Sequence, residues 1–89
     1  MAVRRRVIAY GQVHGVGFRA SVARAARQRG VAGWARNRAD GTVEIVLEGD
    51  EEPVESVLRF CREGPRAATV TRFETSTEEP EGLIGFEIR

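Results

Sequence analysis

In Gly11-Gln12-Val13-His14-Gly15-Val16-Gly17-Phe18-Arg19 the hydrophobic period changes from that of a strand to that of a helix. Upstream, Val7, Ala9, Gly11 and Val13 share one face of a strand running from Val3 to Val13, and Ile8 and Tyr10 share the other. Apolar groups on both faces put this strand in the centre of a sheet. Downstream, Phe18, Val22, Ala25 and Ala26 fall on one stripe, Arg24 and Arg27 lie off it, and Gly30 is a suitable stop, which predicts a helix over residues 19–29. The glycines at 15 and 17 let the main chain approach a ligand closely, while the first turn of the helix aims unpaired N–H groups at it. Arg19 adds a planar guanidinium that stays charged and can grip two phosphate oxygens at once. Strand, anion cradle and helix follow one another within a few residues.

Working outward, residues 31–38 and 42–48 read as two strands joined by Ala39-Asp40-Gly41, since Asp-Gly favours a hairpin. Val43, Ile45 and Leu47 face inward. Asp50 is placed to cap a second helix, Pro53 is tolerated in its first turn, and Val54, Val57, Leu58 and Cys61 follow at i, i+3, i+4 and i+7 until Gly64-Pro65. A strand over residues 68–77 breaks strict alternation between Val70 and Phe73, which predicts a bulge or a change of face. A charged loop, residues 78–82, precedes a short last strand bearing Phe86 and Ile88. The order is βαββαβ with a short terminal strand, and right-handed crossovers put both helices on one face of an antiparallel sheet. This is the ferredoxin-like α+β arrangement, expected as a single domain over residues 1–89.

A chain of 89 residues can build one sheet covered on one face, with no room for a second domain. Fourteen basic and 13 acidic residues are interspersed, so total charge indicates no nucleic-acid-binding face, and anion specificity must be local. All 14 basic residues are arginine. The lone Cys61 permits no internal disulfide, no cysteine or histidine cluster suggests a metal, and no apolar run suits a membrane span. Met-Ala-Val-Arg-Arg-Arg is unlike a signal peptide, so a reduced cytoplasmic setting is expected, and a small domain without an evident exposed apolar helix face is expected to be a monomer.

Two other readings of the glycine loop fail on context. Gly15-Val16-Gly17-Phe18-Arg19-Ala20 satisfies G-x-G-x-x-A, but the next strand enters a hairpin instead of ending at an acidic ribose ligand. The same residues faintly echo an RNA-recognition motif, yet they lie in a loop, and the strand from Thr42 to Glu48 has no aromatic residue for stacking. Asn37, the only asparagine, stands beside the hairpin and is either a turn residue or a polar group facing the cradle. His14 is expected to act through its backbone, with its side chain free to face solvent. Cys61 reads as core. Arg4, Arg5 and Arg6 read as a solvated strand end, Arg36 and Arg38 as bystanders flanking Asn37, and Trp34 as either packing against the sheet or shielding the site.

Gly11-x-Val13-x-Gly15-Val16-x-Phe18-Arg19 and Gly33-x-x-x-Asn37-x-x-Asp40-Gly41-x-Val43-Glu44 together resemble the two signatures of the acylphosphatase family. The resemblance extends over the whole chain, including its closing Gly85-Phe86-Glu87-Ile88. It implies hydrolysis of the carboxyl-phosphate bond of small acyl phosphates. Arg19 corresponds to the phosphate-binding arginine, Asn37 to the asparagine that positions the attacking water, and the main chain of His14, Gly15, Val16, Gly17, Phe18 and Arg19 to the phosphate cradle. Neither metal nor organic cofactor is implied. The alternatives are a non-catalytic phosphate- or acyl-phosphate-binding regulatory module, or a domain like the one in large hydrogenase-maturation carbamoyltransferases, whose cysteine-rich zinc motifs are not found here.

Overall fold

The computed structural model describes residues 1–89, and β1 (Ala2–Gln12) is the pivot of its sheet. This strand pairs antiparallel with β3 (Val43–Asp50) on one side and with β4 (Thr69–Glu78) on the other. Beyond β3 comes β2 (Ala32–Asn37), also antiparallel, and beyond β2 the short β5 (Phe86–Ile88) runs parallel to it. The order is β4-β1-β3-β2-β5. Helices α1 (Phe18–Gln28) and α2 (Glu51–Glu63) cover one face of the sheet, as the order of elements predicts. The expected irregularity in the fourth strand is a bulge: Tyr10 pairs with Arg72 but Gly11 with Val70, leaving Thr71 as the extra residue.

Period-two alternation delivers Val7, Ala9, Ala35, Val43, Ile45 and Leu47 to the helix-covered face, where they meet Phe18, Val22, Ala26, Val54, Val57 and Cys61. Burial of these side chains against two amphipathic helices is the main stabilising contribution. Asp50 occupies the N-cap of α2 but makes no side-chain capping bond, so the favourable charge at that helix start comes from Asp50, Glu51 and Glu52 by proximity alone.

The helix-free face departs from the sequence expectation. Arg4 is not a solvated strand end: it is 4% exposed, and its guanidinium meets Glu48 at 3.1 Å and Glu78 at 2.8 Å. Arg6 bonds Glu78 and Glu44, and Arg36 approaches Glu44 at 2.6 Å. Arg5 points to the other face and reaches Glu55 of α2 at 3.2 Å. Trp34 lies on the helix-free face with the guanidinium carbons of Arg6, Arg36 and Arg89 at 5.7, 5.9 and 4.7 Å from its ring centre. Val46, in register between Arg6 and Trp34, is fully buried by this layer although no helix covers it.

Because β4 and β5 occupy opposite edges, the connection between them must cross the end of the sheet. Glu48 holds it there: one carboxylate oxygen accepts from the N–H groups of Gly82 at 2.6 Å and Leu83 at 2.8 Å, the other from Glu81 N–H at 2.9 Å and Arg4. Burial alone pushes the Glu48 carboxyl upward, and the N–H groups of Glu81 and Leu83, then Arg4 and the N–H of Gly82, reverse this and hold it below the ordinary carboxylate range.

Candidate active site

At the end of β1 the chain turns through Gly15 (φ 70°) and Gly17 (φ 73°), a left-handed region that costs glycine no steric penalty. Gly17 is the N-cap of α1, and neither a side-chain cap nor an acidic first turn satisfies that helix start. The bond from Ser21 N–H to the Gly17 carbonyl, 3.0 Å, begins the ladder. The N–H groups of Phe18, Arg19 and Ala20 therefore lack intrahelical acceptors, and the positive end of the helix dipole is unopposed. Such a terminus suits an anion.

Arg19 leaves the first turn of α1 and donates one guanidinium N–H to the backbone oxygen of Arg89 at 2.7 Å. Arg89 is itself fixed to the sheet edge by its N–H, which donates to the Ala35 carbonyl at 2.8 Å. One arm of the guanidinium is thus tethered and its remaining donors are available for a ligand. Asn37 reaches the same place from the end of β2, where it pairs with Val43 just before the hairpin turn. The turn is closed by Arg38 N–H to the Thr42 carbonyl at 2.8 Å, and the Asp40 carboxylate accepts from Thr42 Oγ at 2.6 Å and Thr42 N–H at 3.0 Å. Those bonds, hydroxyl first, hold the Asp40 carboxyl below its ordinary value.

Between the loop and the ends of β2 and β5 lies a cleft of about 160 Å³ lined by Val13, Gly15, Gly17, Phe18, Arg19, Ala20, Asn37 and Ile88. No Asp or Glu side chain lines it. The structure therefore brings Gly15, Gly17, Phe18, Arg19 and Asn37 together from segments 18 residues apart. His14 and Val16 are not on its wall: Val16 packs against the core, and the His14 ring turns to the Thr42 carbonyl, with Nε2 at 2.8 Å, instead of facing solvent. Trp34 neither shields the cleft nor lines it, and Arg36 and Arg38 turn to Glu44 and Asp40. Val13, Ala20 and Ile88 were missed by sequence reasoning. Ala20 continues the loop motif and could have been taken with it, but nothing local announces that β5 closes the site.

Cys61 is fully buried, and burial pushes its thiol up to about 12, which removes it as a nucleophile near neutral pH. No group of three or more His, Cys, Asp or Glu side chains is arranged to hold a metal ion.

Fold and cleft define a small ferredoxin-like α+β domain with a cleft at one end of its sheet whose uncapped helix start and arginine suit an anion. The acylphosphatase family model matches residues 5–88. An acylphosphatase of Thermococcus kodakarensis is 55% identical over 86 residues, covering 97% of this chain and 94% of that one. The crystal structure of an acylphosphatase from Bacillus subtilis superposes with a TM-score of 0.93 at 38% identity, covering 100% of this chain and 99% of its own. A full-length HypF in a phosphate- and nucleotide-bound form matches with a TM-score of 0.92 at 27% identity, but there the match covers 12% of the longer chain. The chain belongs to the acylphosphatase family, and it is an enzyme that hydrolyses acyl phosphates.

Proposed function

We propose that main-chain N–H groups of the 14–19 loop that border the cleft, together with the Arg19 guanidinium, hold the phosphoryl group of an acyl phosphate while Asn37 orients water for in-line attack at phosphorus. Water's oxygen forms the new P–O bond, the bond from phosphorus to the acyl oxygen breaks, and a carboxylate leaves. The water proton passes to a phosphoryl oxygen, so no side chain is needed as base. A carboxylate is a good leaving group, and positioning with charge stabilisation therefore carries most of the catalysis. One observation carries this reading: an uncapped helix start, an arginine tethered by one arm and a strand-end asparagine line the same cleft, with no Asp or Glu side chain to repel phosphate.

The enzyme works as a single domain over residues 1–89, as a cytoplasmic monomer, and without metal. No helix is long and apolar enough to cross a membrane. Steady-state hydrolysis of benzoyl phosphate in EDTA tests the chemistry. Turnover that Arg19→Ala and Asn37→Ala each reduce at least about 100-fold, with the fold intact, is the expected result, the size following from loss of one preorganised donor. Turnover indifferent to both would refute the residue assignment, and loss on chelation would refute metal independence.

A further inference from the structure

We infer that His14 is a positioning residue whose imidazole clasps the phosphate cradle to the hairpin carrying Asn37, and so sets the distance between bound phosphate and attacking water. The inference rests on the roles proposed above for the cradle and Asn37. His14 carries the only polar side chain between Val13 and Gly17, and its Nε2 lies 2.8 Å from the carbonyl oxygen of Thr42, 28 residues away in sequence. A carbonyl can only accept, so Nε2 must carry the proton. The same carbonyl accepts Arg38 N–H at 2.8 Å, the bond that closes the turn immediately after Asn37. One oxygen therefore ties the cradle to the backbone next to the residue proposed to hold water.

This acceptor is itself fixed. Thr42 is 4% exposed, and both its N–H and its hydroxyl donate to Asp40. The cradle, in contrast, is loosely surrounded: a Cβ built on Gly15 or Gly17 would meet no atom within 4 Å. Two left-handed glycines bring no side-chain contacts of their own, so the placement of the loop rests on the side chains beside them. Val16 anchors it to the core, and His14 anchors it to the hairpin. Both reacting partners need placement within a fraction of an ångström, so losing this link should impair the chemical step more than phosphate capture. Any donor of similar reach serves, including the carboxamide of glutamine.

The test compares His14→Leu, His14→Gln, Asn37→Ala and the His14→Leu/Asn37→Ala double variant, using benzoyl phosphate turnover and competitive inhibition by inorganic phosphate. His14→Leu should lower kcat about 10-fold or more while the phosphate inhibition constant moves less than about threefold, and His14→Gln should recover most of the lost kcat. The double variant should be no slower than Asn37→Ala alone, because the clasp acts through the water that Asn37 holds. Multiplicative losses, failure of glutamine to rescue, or an unchanged kcat in His14→Leu would overturn the clasp. An unchanged kcat in Asn37→Ala would instead overturn the underlying assignment of Asn37. Should His14→Leu fail to fold, ¹⁵N chemical shifts of the wild-type imidazole decide the matter: the neutral ring must be the Nε2–H tautomer, and an Nδ1–H ring would refute the bond.

Discussion

Replacing Glu48 by glutamine changes one heavy atom and should remove a large part of this protein's stability. The carboxylate receives four donors, two on each oxygen: Gly82 and Leu83 N–H on one, Glu81 N–H and Arg4 on the other. Glutamine keeps one acceptor oxygen and turns an NH2 group toward the other pair, so donor faces donor. Bonds to a charged acceptor contribute about 1.5–3 kcal/mol each, and two are lost. Arg4 retains Glu78 and Glu81, which limits the damage, and we expect a loss of about 3–4 kcal/mol. For a domain of this size that is a fall in Tm of about 12–30 °C. Denaturant unfolding of both proteins at pH 7 measures it, and a difference below about 1 kcal/mol would refute the reasoning. The pH dependence carries a sign. The Glu48 carboxyl is lowered in the folded state, so its contribution is present above the unfolded-chain value of 4.5 and is lost as pH falls through the folded one. The gap between wild type and Glu48→Gln should therefore close on acidification. Glu78, lowered to about 2 by hydrogen bonds from Arg6 and then Arg4, extends the acid sensitivity of this face toward that pH.

Other outcomes follow from single contacts. Arg19→Lys should recover little of the activity lost in Arg19→Ala, because an ammonium cannot reach the Arg89 oxygen and two phosphate oxygens in one plane; near-normal kcat/KM for benzoyl phosphate would refute the clamp. Gly33→Ala should prevent stable folding, since a Cβ at φ 143° would lie 1.8 Å from the Val46 carbonyl oxygen in the neighbouring strand; a cooperative unfolding transition within a few degrees of wild type would contradict this. Cys61, fully buried and with its thiol pushed up to about 12, should react with a thiol reagent at pH 8 only as fast as the protein opens; stoichiometric labelling within minutes under native conditions would show otherwise.

Local pattern was enough for the elements, because periodicity and turn chemistry act between near neighbours. The alternation through Val7, Ala9 and Val13, the stripe through Phe18, Val22 and Ala26, and the Asp40-Gly41 turn each specify one element within a few residues. The left-handed glycine turn through Gly15 and Gly17 into the helix that carries Arg19 was legible for the same reason, since a helix start and its glycines are contiguous. Arg19 and Asn37 line one cleft because β2 follows α1 directly and its end returns to the glycine loop.

Contacts between distant segments were decided only by tertiary structure. Three consecutive arginines read as a solvated end, yet Arg4 is buried because Glu48 lies opposite it on β3 and Glu78 on β4, pairings fixed by strand register. The parallel placement of β5 beside β2, and with it Ile88 in the cleft and Arg89 on Arg19, depends on a connection clamped by Glu48 after crossing the sheet end. His14 looked free in sequence and is tied to Thr42 in space. Sequence alone determined which segments form strands and helices and where a glycine turn meets a helix start, since those properties reside in neighbouring residues. Tertiary structure decided how that site is closed and held, since ion pairs, parallel edges and clasping hydrogen bonds exist only after segments far apart in the chain have met.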